Sequence, residues 1–248
     1  MVFLEKFYLP FEERRTYPYR ILCSKMLDSV AFAPVTIFYG NNGSGKSTLL
    51  NVIAEKIEIK HKTLGNTTLY FNEFVEKCGF QLAKRNGREL KIPSKSRLIR
   101  SEDIMEGIVN LRSITEKAEK KVLSARDGTE SLFAWQEYNS ISEQFSNGET
   151  AIAFFENIFE PDTLYLLDEP ENSLSPSLQF VLKEMIERYS YLLDCQFIIA
   201  THSPFILATK DAIIYNLNHQ PANICRWQDL ENVQFYWQFF KRNEKLFK

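Results

Sequence analysis

The feature that most constrains this chain is Gly40-Asn41-Asn42-Gly43-Ser44-Gly45-Lys46-Ser47-Thr48, set between two unlike patterns. The apolar run Val35–Tyr39 precedes it, and an amphipathic run carrying Leu50, Ile53, Ala54 and Ile57 follows. Strand, glycine-rich turn and helix are the setting in which G-x-x-x-x-G-K-S acts as a phosphate-binding loop. The glycines let the backbone wrap an anion with its N–H groups inward, and the new helix turns its positive end to the same anion. Lys46 is then placed to reach the β- and γ-phosphates, and the Ser47 hydroxyl to ligate Mg²⁺. The loop implies a bound nucleoside triphosphate.

The flanking segments predict an α/β fold. Phe3–Tyr8, Tyr17–Leu22 and Val30–Phe32 read as short β-prone pieces ahead of the Val35–Tyr39 strand. Thr67–Phe80 reads as strand then short helix, Lys84–Lys95 as a basic loop, Arg97–Arg100 as a strand, and Ile104 to about Arg126 as a helix. Beyond it, helices Ala151–Phe159 and Leu178–Leu193 alternate with strands Thr163–Leu167, Phe197–Ala200 and Ala212–Leu217. Such alternation predicts a mostly parallel sheet covered by helices.

Two further groups of residues belong with the loop. Leu164–Leu167 is followed by Asp168 and Glu169, so a buried strand delivers two acids at its carboxyl end, where sites in parallel sheets form. Asp168 fits a Mg²⁺ ligand acting with Ser47, and Glu169 a group that orients or deprotonates the attacking water. His202 ends the neighbouring strand, in reach of a γ-phosphate or that water. Ser146-Asn147-Gly148-Glu149 has the S-x-x-E spacing of a helix capping box, and a helix start of this kind is also an anion site.

Some features bound the function without naming it. The 248 residues carry a formal net charge of -2, so no global basic excess argues for nucleic acid. The local cluster Lys84, Arg85, Arg88, Lys91, Lys95, Arg97 and Arg100 reads either as a solvated loop or as a contact for nucleic acid or an acidic partner. Tyr17 and Tyr19 read as packing residues or as an adenine platform. Cys23, Cys78, Cys195 and Cys225 have no metal or disulfide spacing, and Cys195 reads as a small core residue. No secretory signal and no apolar run of about 20 residues is present, which predicts a cytoplasmic chain without membrane insertion.

In this order the motifs resemble the ABC-type ATPases, which include transporter, SMC and recombination-repair ATPases. Gly40–Ser47 is similar to their Walker A, Leu164–Glu169 to Walker B, Phe145–Glu149 to the signature loop, Glu171–Pro176 to the D-loop and His202 to the switch histidine. Asp168–Pro176, Ala200–Pro204 and the tail Cys225–Phe240, with Arg226–Val233 and the aromatic run after it, resemble a group of small stand-alone bacterial AAA family ATPases. The resemblance implies an ABC-type P-loop NTPase with a mostly parallel core, an N-terminal antiparallel β part and an inserted helical lobe. Its single domain, 1–248, would divide into a core of about 1–65 and 145–248 and a lobe of about 66–144. It implies ATP and Mg²⁺ as ligands, and a homodimer in which one chain's phosphate loop and the other's Ser146, Asn147 and Gly148 enclose each ATP. A Q-loop glutamine has no clear counterpart; Ser101, Glu102 and Asp103 occupy its place, with Gln81 as the alternative. The departures favour an ATP-switched regulator or motor, working with nucleic acid or with a defence or toxin effector. A transporter ATPase subunit and a nucleotide sensor with little turnover are the alternatives.

Overall fold

The computed structural model describes residues 1–59, 68–124 and 150–247. In chain order the strands are β1 (Leu4–Tyr8), β2 (Ser29–Ala31), β3 (Val35–Tyr39), β4 (Gly79–Leu82), β5 (Lys84–Arg85), β6 (Arg88–Glu89), β7 (Arg97–Arg100), β8 (Leu164–Asp168), β9 (Gln196–Thr201), β10 (Ile213–Asn216) and β11 (Asn223–Cys225). The helices are α1 (Tyr19–Leu22), α2 (Lys46–Lys56), α3 (Leu69–Lys77), α4 (Ser101–Ser124), α5 (Thr150–Ile158), α6 (Pro176–Leu192), α7 (Pro204–Leu207) and α8 (Glu231–Arg242).

A six-stranded sheet of order β11-β10-β3-β9-β8-β7 forms the centre. Every pairing in it is parallel except β10 with β11, so the expected mostly parallel core is present. β3, β8 and β9 are buried at every residue, as a sheet covered on both faces requires. Their side chains alternate between two cores. Phe38, Leu164, Leu166, Ile198 and Ala200 face the side covered by α2 and α3, together with Leu4, Phe7 and Val30 of a second sheet. Ile37, Tyr39, Tyr165, Leu167, Phe197 and Ile199 face the side covered by α5 and α6.

The second sheet, β2-β1-β4, is antiparallel and comes largely from the N-terminal region, as expected. One buried amide ties it to the centre. Gln196 in β9 donates to the Leu4 carbonyl at 2.9 Å and accepts from the Phe3 and Leu4 amides at 2.8 and 2.9 Å. Residues expected to form an inserted lobe thus include β4, in the antiparallel sheet, and β7, at the edge of the central one.

Three local expectations are corrected. Tyr17–Leu22 is not β: α1 starts after Pro18, whose ring suits a helix start, and buries Tyr19 and Leu22 one turn apart. Around Thr67–Phe80 the order is helix then strand. The Thr68 hydroxyl caps α3 by accepting from the Phe71 amide, and Phe71, Phe74 and Val75 bury at helical spacing before Gly79 opens β4. The basic loop Lys84–Lys95 contains a hairpin, β5–β6, in which Asn86 and Gly87 take φ of 52° and 76° as a type I′ turn requires.

The second core is held by interlocking aromatic rings. Phe155 meets Phe154 and Phe159 at centroid distances of 5.5 and 5.3 Å, and Phe159 meets Tyr165, Tyr189 and Phe197. Phe155 is fully buried. Phe155→Ala should therefore destabilise the protein by about 3–5 kcal/mol, read as a lower urea midpoint at unchanged slope.

Candidate functional site

The site begins where β3 stops. After Tyr39 the chain turns through the glycine-rich loop and re-enters helix at Lys46, and among the described residues no side chain caps the start of α2. Its first N–H groups are left for an anion. Gly45 holds this turn at φ 102°, and a Cβ there would come 2.7 Å from Ile21 Cγ2, so both conformation and space demand glycine. The Ser44 hydroxyl is buried with no partner among the described residues. A cleft of about 230 Å³ opens here, lined by Asn42, Gly43, Gly45, Lys46, Ser47, Thr48, Ile21 and Glu169.

Lys46 is 4 % exposed. Its ammonium donates to the Gly40 carbonyl at 2.7 Å and to the Asn41 carbonyl at 3.4 Å, and it lies 3.2 Å from Glu169 Oε1. The loop is also held from outside, where the Asn41 amide donates to Asn218 Oδ1 at 2.8 Å.

The acids arrive on β8. Register pairs Asp168 with Arg100 of β7 and with Ala200 of β9. The Ser47 hydroxyl donates to Asp168 Oδ1 at 2.8 Å. Burial pushes the Asp168 carboxyl up to about 6, with Glu169 adding to the rise while Ser47, Arg100 and Lys46 oppose it. Glu169 sits in the left-handed region at φ 47°, ψ 53°, a sparsely populated conformation for a non-glycine residue. Burial raises its carboxyl, but the Asn172 amide on Oε2 at 3.0 Å and the charges of Lys46 and His202 outweigh that and hold it below its ordinary value.

His202 follows β9 and is half exposed, with Nδ1 at 3.2 Å from Glu171 Oε1 and 4.0 Å from Glu169 Oε1. The expected residues Gly40–Thr48, Asp168, Glu169 and His202 are therefore brought together at one end of the central sheet. Ser146, Asn147, Gly148 and Glu149 lie outside the described residues.

The chemistry available is that of hard oxygen and cationic groups around an anion hole. Among the described residues no cluster of three or more His, Cys, Asp or Glu could hold a metal by itself. The Ser47–Asp168 pair fits Mg²⁺, which takes one or two protein oxygens and completes its shell with phosphate oxygens and water.

Other expectations resolve by position. Ser101, Glu102 and Asp103 follow β7 directly beside Asp168, and Asp103 Oδ2 accepts from the Arg100 amide at 3.0 Å. Gln81 lies in the antiparallel sheet, donating to Glu5 Oε2 at 2.8 Å. Tyr19 is fully buried edge-on to Phe74, and Tyr17 stacks on Phe71 at 6.1 Å, so both serve packing. The basic cluster is divided: Lys95 and Arg97 pair with Glu160, whereas the Arg100 guanidinium turns inward to Asn51 Oδ1 at 3.0 Å.

Sequence reasoning placed Glu171 in a D-loop and Glu231 and Asn232 in the tail, but gave none of them a supporting role. Glu171 is buried, and its Oε1 accepts from the Thr201 hydroxyl and from the His202 and Ser203 amides at 2.7, 2.8 and 3.2 Å. Asn232, at the start of α8, donates to the His202 carbonyl at 2.6 Å. The buried Tyr39 hydroxyl, which burial pushes up to about 12, donates to Glu231 Oε2 at 3.1 Å. Only Glu171 had a local signal, as a third acid within Asp168-Glu169-Pro170-Glu171.

A family model described as "AAA domain, putative AbiEii toxin, Type IV TA system" matches residues 70–208. Among solved structures, an SMC head bound to the C-terminal winged-helix domain of ScpA is 15 % identical at a TM-score of 0.50, covering 90 % of this chain and 97 % of that one. An SMC head domain with an extended coiled coil, bound to the C-terminal domain of ScpA from Pyrococcus furiosus, is 14 % identical at 0.48, covering 96 % and 100 %. CbiO1 from Clostridium perfringens, part of the ABC transporter complex cbiONQ, is 16 % identical at 0.42, covering 98 % and 97 %. No curated protein matches the chain.

Proposed function

This chain belongs to the AAA_21 family of AAA domains, and from that premise we propose that it is an ATP-hydrolysing P-loop protein of the ABC and SMC type, two copies of which enclose ATP between them and act as a nucleotide-driven switch on a protein partner. Residues 1–248 act as one ATPase domain. The observation that carries this reading is the assembled pair of contacts at the uncapped start of α2, Ser47 to Asp168 at 2.8 Å and Lys46 to Glu169 at 3.2 Å.

In this mechanism the backbone of Gly40–Thr48 receives the phosphates through its free N–H groups. Lys46 exchanges the carbonyls of Gly40 and Asn41 for β- and γ-phosphate oxygens. Ser47 and Asp168 would hold Mg²⁺, which when bound neutralises charge that builds on the phosphate oxygens. Lys46 leaving Glu169 for phosphate releases a carboxylate to orient the attacking water and draw its proton. His202, with Nδ1 4.0 Å from Glu169 Oε1, is in reach of the same water or the γ-phosphate. The second copy supplies Ser146, Asn147 and Gly148 to close the site. Binding glues the two copies and hydrolysis releases them.

Glu169→Gln keeps the side chain's shape but cannot take a proton. With Mg-ATP this variant should run in size-exclusion chromatography with light scattering at twice the chain mass of 29.0 kDa, while the nucleotide-free form runs as one chain. Only the single-chain mass at saturating Mg-ATP would overturn the enclosed-dimer reading.

A further inference from the structure

Glu171 does not belong to the phosphate loop or the acid pair, yet it is the most heavily engaged carboxylate near them. The short 3₁₀ turn Pro170–Ser173 carries it from the end of β8 to the end of β9. There one oxygen, Oε1, meets the Thr201 hydroxyl at 2.7 Å, the His202 amide at 2.8 Å, the Ser203 amide at 3.2 Å and the His202 ring at Nδ1, also 3.2 Å. Its other oxygen, Oε2, is buried without a partner among the described residues, and the residue is 5 % exposed. Buried carboxylates with an unsatisfied oxygen are uncommon, so a role beyond holding a turn is called for. The backbone of His202 is fixed from the opposite side, where Asn232 donates to its carbonyl at 2.6 Å. With both main-chain groups of His202 restrained, the ring is carried on a rigid mount with Nδ1 toward a carboxylate.

We propose that Glu171 is a positioning residue for His202, fixing the neutral ring with the proton on Nδ1 and the lone pair on Nε2. The inference rests on the reading of His202 as part of the ATP site. A carboxylate oxygen accepts only, so it selects the tautomer that donates toward it. A neutral ring so fixed offers Nε2 as an acceptor. It faces a hydrogen-bond donor, the attacking water, rather than the anionic γ-phosphate. The arrangement is the one by which a buried acid orients a general-base histidine. Among the described residues the charged groups facing the ring are Glu169 and Glu171, both acceptors, and neither favours a proton on Nε2 over Nδ1.

The test is nitrogen NMR of the protein labelled with ¹⁵N-histidine, at a pH where the rings are neutral, with His202 assigned by its absence in His202→Ala. The wild-type ring is expected as the Nδ1–H tautomer. Glu171→Ala should shift it to the Nε2–H form common for free imidazole, and Glu171→Gln, which retains an acceptor oxygen, should leave it unchanged. In steady-state phosphate release, Glu171→Ala should lower kcat roughly ten- to hundredfold with little change in KM for ATP, and Glu171→Gln should restore most of it. In a His202→Ala background the same alanine substitution should add less than about threefold. An Nε2–H ring in the wild type, or an undiminished kcat effect of Glu171→Ala in the His202→Ala background, overturns the proposal. Should Glu171→Ala fail to fold, the wild-type tautomer decides alone. If His202→Ala leaves turnover intact, the reading of His202 in the ATP site is what fails, and the tautomer still decides what Glu171 does to the ring.

Discussion

Lys46→Ala is expected to lower kcat/KM for ATP by about 10²–10³-fold, the scale of losing one preorganised donor at a site of developing charge. Two properties of Lys46 lead there. Its side chain is 4 % exposed, so its field acts with little screening by water, and among the described residues its ammonium meets only two carbonyls and Glu169. Removing it subtracts the cation that meets the phosphates and leaves the Glu169 carboxylate without its nearest positive charge. The folded chain should tolerate the loss, because α2 is anchored by Leu49, Leu50, Val52 and Ile53 rather than by the lysine. Lys46→Arg is expected to rescue poorly, since the planar fork cannot take the place of a compact ammonium inside a tight loop. Phosphate release and nucleotide titration measure both variants, and near-wild-type turnover by Lys46→Ala would remove this residue from the mechanism.

Asp168→Asn should change activity and stability in opposite directions. Turnover should fall by about 10²–10³-fold, because an amide replaces the anionic ligand paired with Ser47. Yet the Mg²⁺-free protein should become more stable at neutral pH. The wild-type carboxyl is raised from the ordinary 3.8 to about 6, chiefly by burial. Between those values the folded chain binds a proton that the unfolded chain has lost, so stability declines as pH rises through the window and the cost is complete above it. The interval corresponds to roughly 3 kcal/mol at most. Thermal unfolding in EDTA from pH 4 to pH 8 should show this decline in wild type and its absence in Asp168→Asn. Added Mg-ATP should offset it in the wild type alone. A variant no more stable than wild type at pH 8 would contradict the buried-charge account.

The readable parts of the fold and site were those governed by local pattern. β3, with five consecutive residues of high β-propensity, stands at Val35–Tyr39 as expected, and so does β7 at Arg97–Arg100. The phosphate loop, Asp168, Glu169 and His202 were legible because each sits at a strand terminus, where period and polarity change together. α1 and α3 were misread because aromatic residues suit strand and buried helix alike, and the deciding signals were single residues, Pro18 and Thr68. The supporting shell was largely illegible. Asn218 reaches Asn41, and Asn232 reaches His202, across chain separations that only the sheet order closes.

That sheet order works as a graduated ruler. β7, β8, β9 and β3 are consecutive neighbours, and their pairings set Arg100 beside Asp168, Asp168 beside Ala200, and Thr201 beside Tyr39. Each step across is one strand spacing of about 4.8 Å, fixed by backbone hydrogen bonds and blind to side-chain identity. A slip of one residue would swing a whole strand's side chains through the sheet, exchanging its two cores. The separations between the strand ends are therefore not continuously adjustable: drift elsewhere in the sequence leaves them standing, and only a wholesale change of register can redraw them.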